Sequence, residues 1–144
     1  MMTVKLVCVG TLKESYWRDA CAEYEKRLSA FCKFKCVALP ESTLPQEKDA
    51  IIKECEGFVV ALCVEGKSMS SEALAEKIAA VSQISSKITF VIGSSCGLDD
   101  EVKKRADLRL SFSSFTFPHQ MMRVILLEQI YRAFTIQRNM TYHK

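Results

Sequence analysis

Two rhythms of apolar and polar positions alternate along the chain. Short unbroken apolar runs read as buried strands, and stretches with three- and four-residue spacing read as helices. Val4 to Val9 is the first run and ends at Gly10. After Ser15, a hydroxyl able to cap a helix, Tyr16, Ala20, Tyr24 and Leu28 form one stripe with Trp17 and Cys21. Phe34 to Leu39 reads as a second strand, stopped by Pro40. Pro45 suits the first turn of a helix through about Cys55. Phe58 to Val64 (FVVALCV) is the most hydrophobic strand and belongs inside the sheet; Glu65-Gly66-Lys67 then reads as a turn. Ser70 or Ser71 caps a helix carrying Leu74, Ile78 and Val81. Ile88 to Ile92 is a fourth strand, followed by Gly93-Ser94-Ser95-Cys96-Gly97. Asp99, Asp100 and Glu101 put negative charge at the next helix start, where the helix dipole favours it. Leu108 to Phe112 is a fifth strand.

The last stretch is the most distinctive. A long helix is expected from about Gln120 to Gln137. Met122, Ile125, Leu126, Gln129, Ile130 and Ala133 follow helical spacing, and Val124, Leu127 and Phe134 widen the apolar arc. So wide an arc predicts a helix buried on more than one side, or shared with a second subunit. Its polar positions are Arg123, Glu128, Arg132 and Arg138, with Glu128 expected to pair with Arg132 or Arg123. Tyr142-His143-Lys144 then forms a tail of hydrogen-bonding and charged groups.

Strands alternating with helices predict a parallel α/β sheet covered on both faces, in one domain spanning residues 1–144. In such sheets ligands sit outside the carboxyl ends of the strands. Three segments occupy that position: Glu65 to Met69, Gly93 to Gly97, and Phe112 to Pro118.

Composition narrows the class. Hydrophobic residues make up 49% of the chain, which excludes disorder. No apolar run reaches membrane-spanning length, and MMTVKLVCVG lacks a signal-peptide layout, so a cytoplasmic protein is expected. The seven cysteines are scattered, mostly within apolar runs. Cys32 and Cys36, the nearest pair, have no further ligand close by, so reduced core thiols are expected and no metal. From Val102 to Lys144, eight basic residues stand against Asp107 and Glu128, so this part carries +6 on a chain of net charge +3. That asymmetry suits a polyanion such as RNA as well as it suits a solvated helix face.

The glycine turn matches neither the dinucleotide fingerprint nor a Walker loop. Phe112 to Phe117 alternates aromatic rings with hydroxyls and is suited to hold a flat heterocycle. On composition alone, both segments read as ordinary loop geometry in preference to a binding site. His119, beside Pro118 at a helix start, reads as a capping or structural residue. His143 lies in a tail with no apolar pattern.

With these residues in view, the chain resembles the RlmH (YbeA-like) family of SPOUT methyltransferases over essentially its whole length. The resemblance rests on KLVCVG, YWRDACAEYEKRL, ALCVEGK, VIGSSCGL and, above all, FTFPHQMMRVILLEQIYRAF followed by terminal YHK. Ser94 and Asn139 stand where the family usually has glycine; asparagine tolerates left-handed backbone. The resemblance implies a C-terminal trefoil knot, a homodimer and S-adenosylmethionine (SAM) as methyl donor. It also implies a product, N3-methylpseudouridine in the 23S rRNA stem-loop at the ribosomal subunit interface, made on assembled ribosomes. Leu62, Gly93, Phe112, Ser113, Ser114, Phe115, Thr116 and Phe117 match the family's SAM-binding segments. The N3 proton must leave, and the imidazole of His143 suits a base with Tyr142 beside it. Arg123, Arg132 and Lys144 are the expected substrate contacts. The competing readings are a knotted tRNA methyltransferase, a non-catalytic RNA-binding α/β module and a flavodoxin-like small-ligand binder.

Overall fold

Period-two alternation along the strands builds two separate cores. In a computed structural model covering residues 1–144, the chain runs β1 (Thr3–Val9), α1 (Ser15–Leu28), β2 (Lys33–Leu39), α2 (Leu44–Glu54), β3 (Phe58–Ser68), α3 (Ser71–Ser82), β4 (Lys87–Ile92), α4 (Asp100–Arg105), β5 (Leu108–Ser111) and α5 (His119–Gln137). The strands form one parallel sheet in the order β2-β1-β4-β3-β5. Val4, Leu6 and Cys8 of β1 and Ile88, Phe90 and Ile92 of β4 point to one face, where α1, α3 and α5 cover them. Val7, Val9, Val59, Ala61 and Val91 point to the other, under Ile51 of α2 and Val102 of α4. Strands buried on both faces carry nearly unbroken apolar runs for this reason.

The larger core rests on α5. Leu126, Leu127 and Ile130 have no exposed surface, and Ala133 and Phe134 lie beside them. Burying each large aliphatic side chain contributes roughly 1.5–3 kcal/mol. Ser70 caps α3 by accepting from the Ala73 amide at 3.0 Å. Asp99 caps α4 by accepting from the Glu101 amide at 2.9 Å. Asn139 takes the left-handed conformation, φ 54°, just past α5, where its short side chain permits a turn that most residues resist.

Three local expectations change. Glu65-Gly66-Lys67 does not turn the chain: β3 runs on to Ser68, with its register against β5 shifted between Leu62 and Lys67. Gly66 is needed there because a Cβ would lie 2.8 Å from the Arg109 carbonyl oxygen. Tyr16 leaves the apolar stripe of α1 and is 61% exposed, while Cys21 and Leu28 carry the buried face. All seven cysteines are free thiols, but only Cys8, Cys21 and Cys32 are buried; Cys36 and Cys96 are exposed.

Candidate active site

The carboxyl ends of β3, β4 and β5 open into a cavity of about 390 Å3, within the range of ~300–1,000 Å3 common for small-molecule sites. Leu62 comes from β3, Ile92 and Gly93 from the end of β4, and Leu110 to Ser113 from β5 and its loop. The loop continues through Phe115, Thr116 and Phe117, and α5 adds His119 and Met122 from its first turn. The structure therefore brings Leu62, Gly93, Phe112, Ser113, Phe115, Thr116 and Phe117 to one cavity. Ser114 stays outside it and faces solvent.

The glycine turn closes on itself. A Cβ on Gly93 would stand 2.4 Å from the Gly97 carbonyl oxygen and 2.9 Å from Leu98 Cδ2. The Gly97 amide donates to the Ser94 carbonyl at 2.9 Å. Glycine is required at 93 by the turn itself. Gly97, at φ +81°, has open space where its Cβ would be. Ser94 donates its hydroxyl to Glu47 Oε1 at 3.0 Å, and Glu47 Oε2 accepts from the Ser42 amide at 2.8 Å. Glu47 is only 4% exposed. A buried carboxylate thus ties the glycine turn to the loop before α2. Across the cavity Lys103 donates to Glu65. That bond holds the Glu65 carboxyl below its ordinary range and the Lys103 ammonium above it.

His119 projects from the first turn of α5 into the cavity lining. It makes no capping bond, so the expected capping role is not what the structure shows. Its Nε2 lies 3.9 Å from Glu41 Oε1. Both side chains crowd Gly10, which has φ +95°: a Cβ there would meet Glu41 Oε1 at 3.1 Å and His119 Nε2 at 3.4 Å.

Arg123, expected at the substrate, is not at the surface. It is 5% exposed and donates from Nη2 to the Gly10 carbonyl at 2.9 Å. Its place on the buried stripe of α5 puts the guanidinium beneath the end of β1, where it fixes Gly10.

The tail folds back along the second half of α5. Arg132 binds Glu128 at 2.8 Å, one turn before it. The Tyr142 hydroxyl donates to Glu128 Oε2 at 2.8 Å, and its ring lies edge-on to Tyr131 with centroids 4.8 Å apart. Burial, then the bond to Glu128, pushes the Tyr142 phenol up to about 12. His143 has both ring nitrogens engaged, Nδ1 with Arg132 at 3.0 Å and Nε2 with Glu72 at 2.6 Å. Met122 and Arg132 are ten residues apart on α5, about 15 Å along its axis at ~1.5 Å per residue. In its own chain, His143 is therefore seated away from the cavity. Lys144 is exposed.

Sequence reasoning missed His119, Met122, Glu41 and Glu47. His119 and Met122 carried one usable signal: they lie three residues apart, on one face of the helix that follows the loop. No cluster of three metal-ligating side chains occurs, and no helix is long and apolar enough to cross a membrane.

The class defined by this fold and site is a parallel α/β protein with a small-molecule cavity at its strand ends. The family model for predicted SPOUT methyltransferases matches residues 2–143, and the chain belongs to that family. It is 45% identical to ribosomal RNA large subunit methyltransferase H of Streptococcus pyogenes, over 99% of this chain and 100% of the relative. It is 46% identical to the protein of that name from Lactobacillus acidophilus, with the same coverage. Among solved structures, a probable methylase family protein from Haemophilus influenzae aligns with TM-score 0.62 at 15% identity, over 98% of this chain and 70% of that one. A tRNA (m1G37) methyltransferase from Aquifex aeolicus aligns with TM-score 0.55 at 13% identity, over 90% and 69%. The likeness to these two structures is one of fold.

Proposed function

We propose that this methyltransferase uses SAM to methylate N3 of a pseudouridine in 23S rRNA, in the stem-loop at the ribosomal subunit interface, on assembled ribosomes. The observation that carries the reading is the strand-end cavity walled by the glycine turn and the Phe112 to Phe117 loop. The full-length relatives named as large-subunit rRNA methyltransferases point to the substrate.

The cavity fits the donor. Its apolar walls suit an adenine ring and a thioether chain, and the hydroxyls and free backbone groups of the loops suit ribose and amino-acid ends. The open side of Gly97 leaves room for close backbone approach. SAM, when bound, supplies an electrophilic methyl group on a sulfonium. The protein must hold the target base in line and take up the N3 proton. Phe115, 77% exposed at the cavity mouth, offers a face on which a base can stack. Tyr142, His143 and Lys144 are assigned to the RNA side, with Arg132 holding the tail in shape. To act at its own cavity the tail leaves its seat on Glu128 and Glu72; to act from where it is seated it serves a partner's cavity. A homodimer with the family's C-terminal knot completes the proposal, supported by Val124 and Ile125, apolar yet only half-buried on α5.

Deleting Tyr142 to Lys144 tests this reading. SAM binding by calorimetry and a dimer by analytical ultracentrifugation should survive, while methyl transfer to ribosomes should be lost. Full-rate methylation by the truncated protein removes the tail from the site. Mass mapping of 23S rRNA from a deletion strain should show one pseudouridine lacking its methyl group.

A further inference from the structure

We propose that His119, oriented by Glu41, takes the N3 proton during methyl transfer. This rests on the methyltransferase reading above and adds a residue to it. The chain has two histidines, and the structure sorts them. His143 is saturated. A guanidinium only donates, so His143 Nδ1 must accept from Arg132, and Nε2 then carries the proton that Glu72 accepts. An imidazole with its lone pair so occupied has none left for a substrate proton. His119 is the opposite case. It lines the cavity, and its one close polar contact is Glu41 Oε1, 3.9 Å from Nε2. That contact leaves the imidazole with a nitrogen free to accept a proton.

The surroundings preserve this orientation. Gly10 leaves the space that His119 Nε2 and Glu41 Oε1 occupy, and Arg123 fixes Gly10 by its carbonyl. Glu41 from the β2–α2 loop is the charged group beside the imidazole; Lys103 and Glu65 share the cavity lining, and Arg123 follows one turn along α5. Lys103 is already bound to Glu65, and Arg123 to Gly10. The step balances: an N3–C bond forms, the C–S bond breaks to leave a neutral thioether, and the N3 proton passes to His119, which later releases it to water. Glu41 is a positioning residue, because it acts through the imidazole.

The experiment compares His119→Ala, His119→Gln, Glu41→Gln and His143→Ala. Single-turnover methyl transfer is measured at saturating SAM and ribosomes, and SAM affinity is measured separately by calorimetry. His119→Ala and His119→Gln should lose at least ~100-fold in rate, within the range for removing a general base, and far more in rate than in SAM affinity. The wild-type rate should rise with pH and level off once the base is free; in both variants that break should vanish. Glu41→Gln should lower the saturated rate severalfold while SAM affinity and the ribosome concentration for half-maximal rate stay unchanged, as a residue acting through the imidazole requires. His143→Ala should weaken ribosome binding more than it slows the saturated rate. Two results overturn the assignment: His119 variants within threefold of wild-type rate, or a rate loss matched by an equal loss of SAM affinity. If wild type transfers no methyl group to ribosomes, the functional reading itself falls. If wild type is active and His119→Ala equally so, only the role of His119 falls.

Discussion

The two ends of α5 are built from different materials. At its first turn lies a cavity shaped by backbone: a glycine turn closed on Gly97, an aromatic loop, and a glycine at position 10 packed under two side chains. At its second half lies a polar mesh in which Glu128, Arg132, Tyr142, His143 and Glu72 satisfy one another. The first should be sensitive to a single added carbon atom. The second should depend more on charge and on salt. A rigid site for a small molecule and a releasable seat for a tail are both needed if one helix serves a cofactor and an RNA.

The largest expected effect breaks the backbone-built end. Gly93→Val should lower SAM affinity at least ~100-fold, because any Cβ must force Gly97 away and open the turn. Calorimetry measures the affinity, and circular dichroism checks that the sheet persists. Retained affinity in the folded variant would show that the turn tolerates bulk and that the contrast between the two ends is false.

Glu128→Gln attacks the other end. It removes the carboxylate that Arg132 and Tyr142 share, and the tail should loosen by about 1–2 kcal/mol, typical for losing hydrogen bonds to a charged group. Amide hydrogen exchange past Asn139 should accelerate, with SAM affinity unchanged. High salt should weaken the wild-type tail in the same direction. A change in SAM affinity instead would mean that the two ends are coupled through α5.

Much of this contrast could be read from residues alone, and the failures have physical causes. The strand runs, the cap at Ser70 and the acidic start of α4 rest on local pattern, which sequence carries directly; the Phe112 to Phe117 wall rests on the family resemblance, since its own composition fits a plain loop. By charge, Arg123 reads as a substrate contact. Yet 123, 126, 127, 130 and 134 follow the same helical spacing as the buried stripe, so position should have outweighed residue type. Glu47 carries the same lesson, lying four residues before buried Ile51. Gly66 looked like a turn because the cause of that glycine, the Arg109 backbone, comes from a distant strand. The Glu41–His119 meeting depends on where α5 starts relative to β1, and no local spacing reports that.

A smaller effect sharpens the link between Glu47 and the glycine turn. Glu47→Gln keeps size and an acceptor for one of the two donors, Ser42 N or Ser94 Oγ. SAM affinity should fall severalfold, by roughly 1 kcal/mol for one weakened buried bond. Ser94→Gly, which removes the hydroxyl partner without adding bulk, should make Glu47→Gln nearly silent. Independent, additive losses in the double variant would show that Glu47 acts on the turn by another route.

The smallest effect is a titration. The Tyr142 phenol is pushed from its ordinary value of 10.0 to about 12, first by burial and then by its bond to Glu128. The folded protein therefore holds this proton more tightly than the unfolded chain. The contribution of Tyr142 to seating the tail is complete below about pH 10 and is lost as pH rises through about 12. The difference in phenolate absorbance between wild type and Tyr142→Phe isolates this group, and its midpoint should fall near pH 12. In Glu128→Gln the midpoint should return only part of the way toward 10, because burial, the larger cause, persists. An ordinary midpoint in the wild-type protein would mean that Tyr142 is free in solution. The tail would then have no seat to leave, and the contrast between the two ends of α5 would rest on the cavity alone.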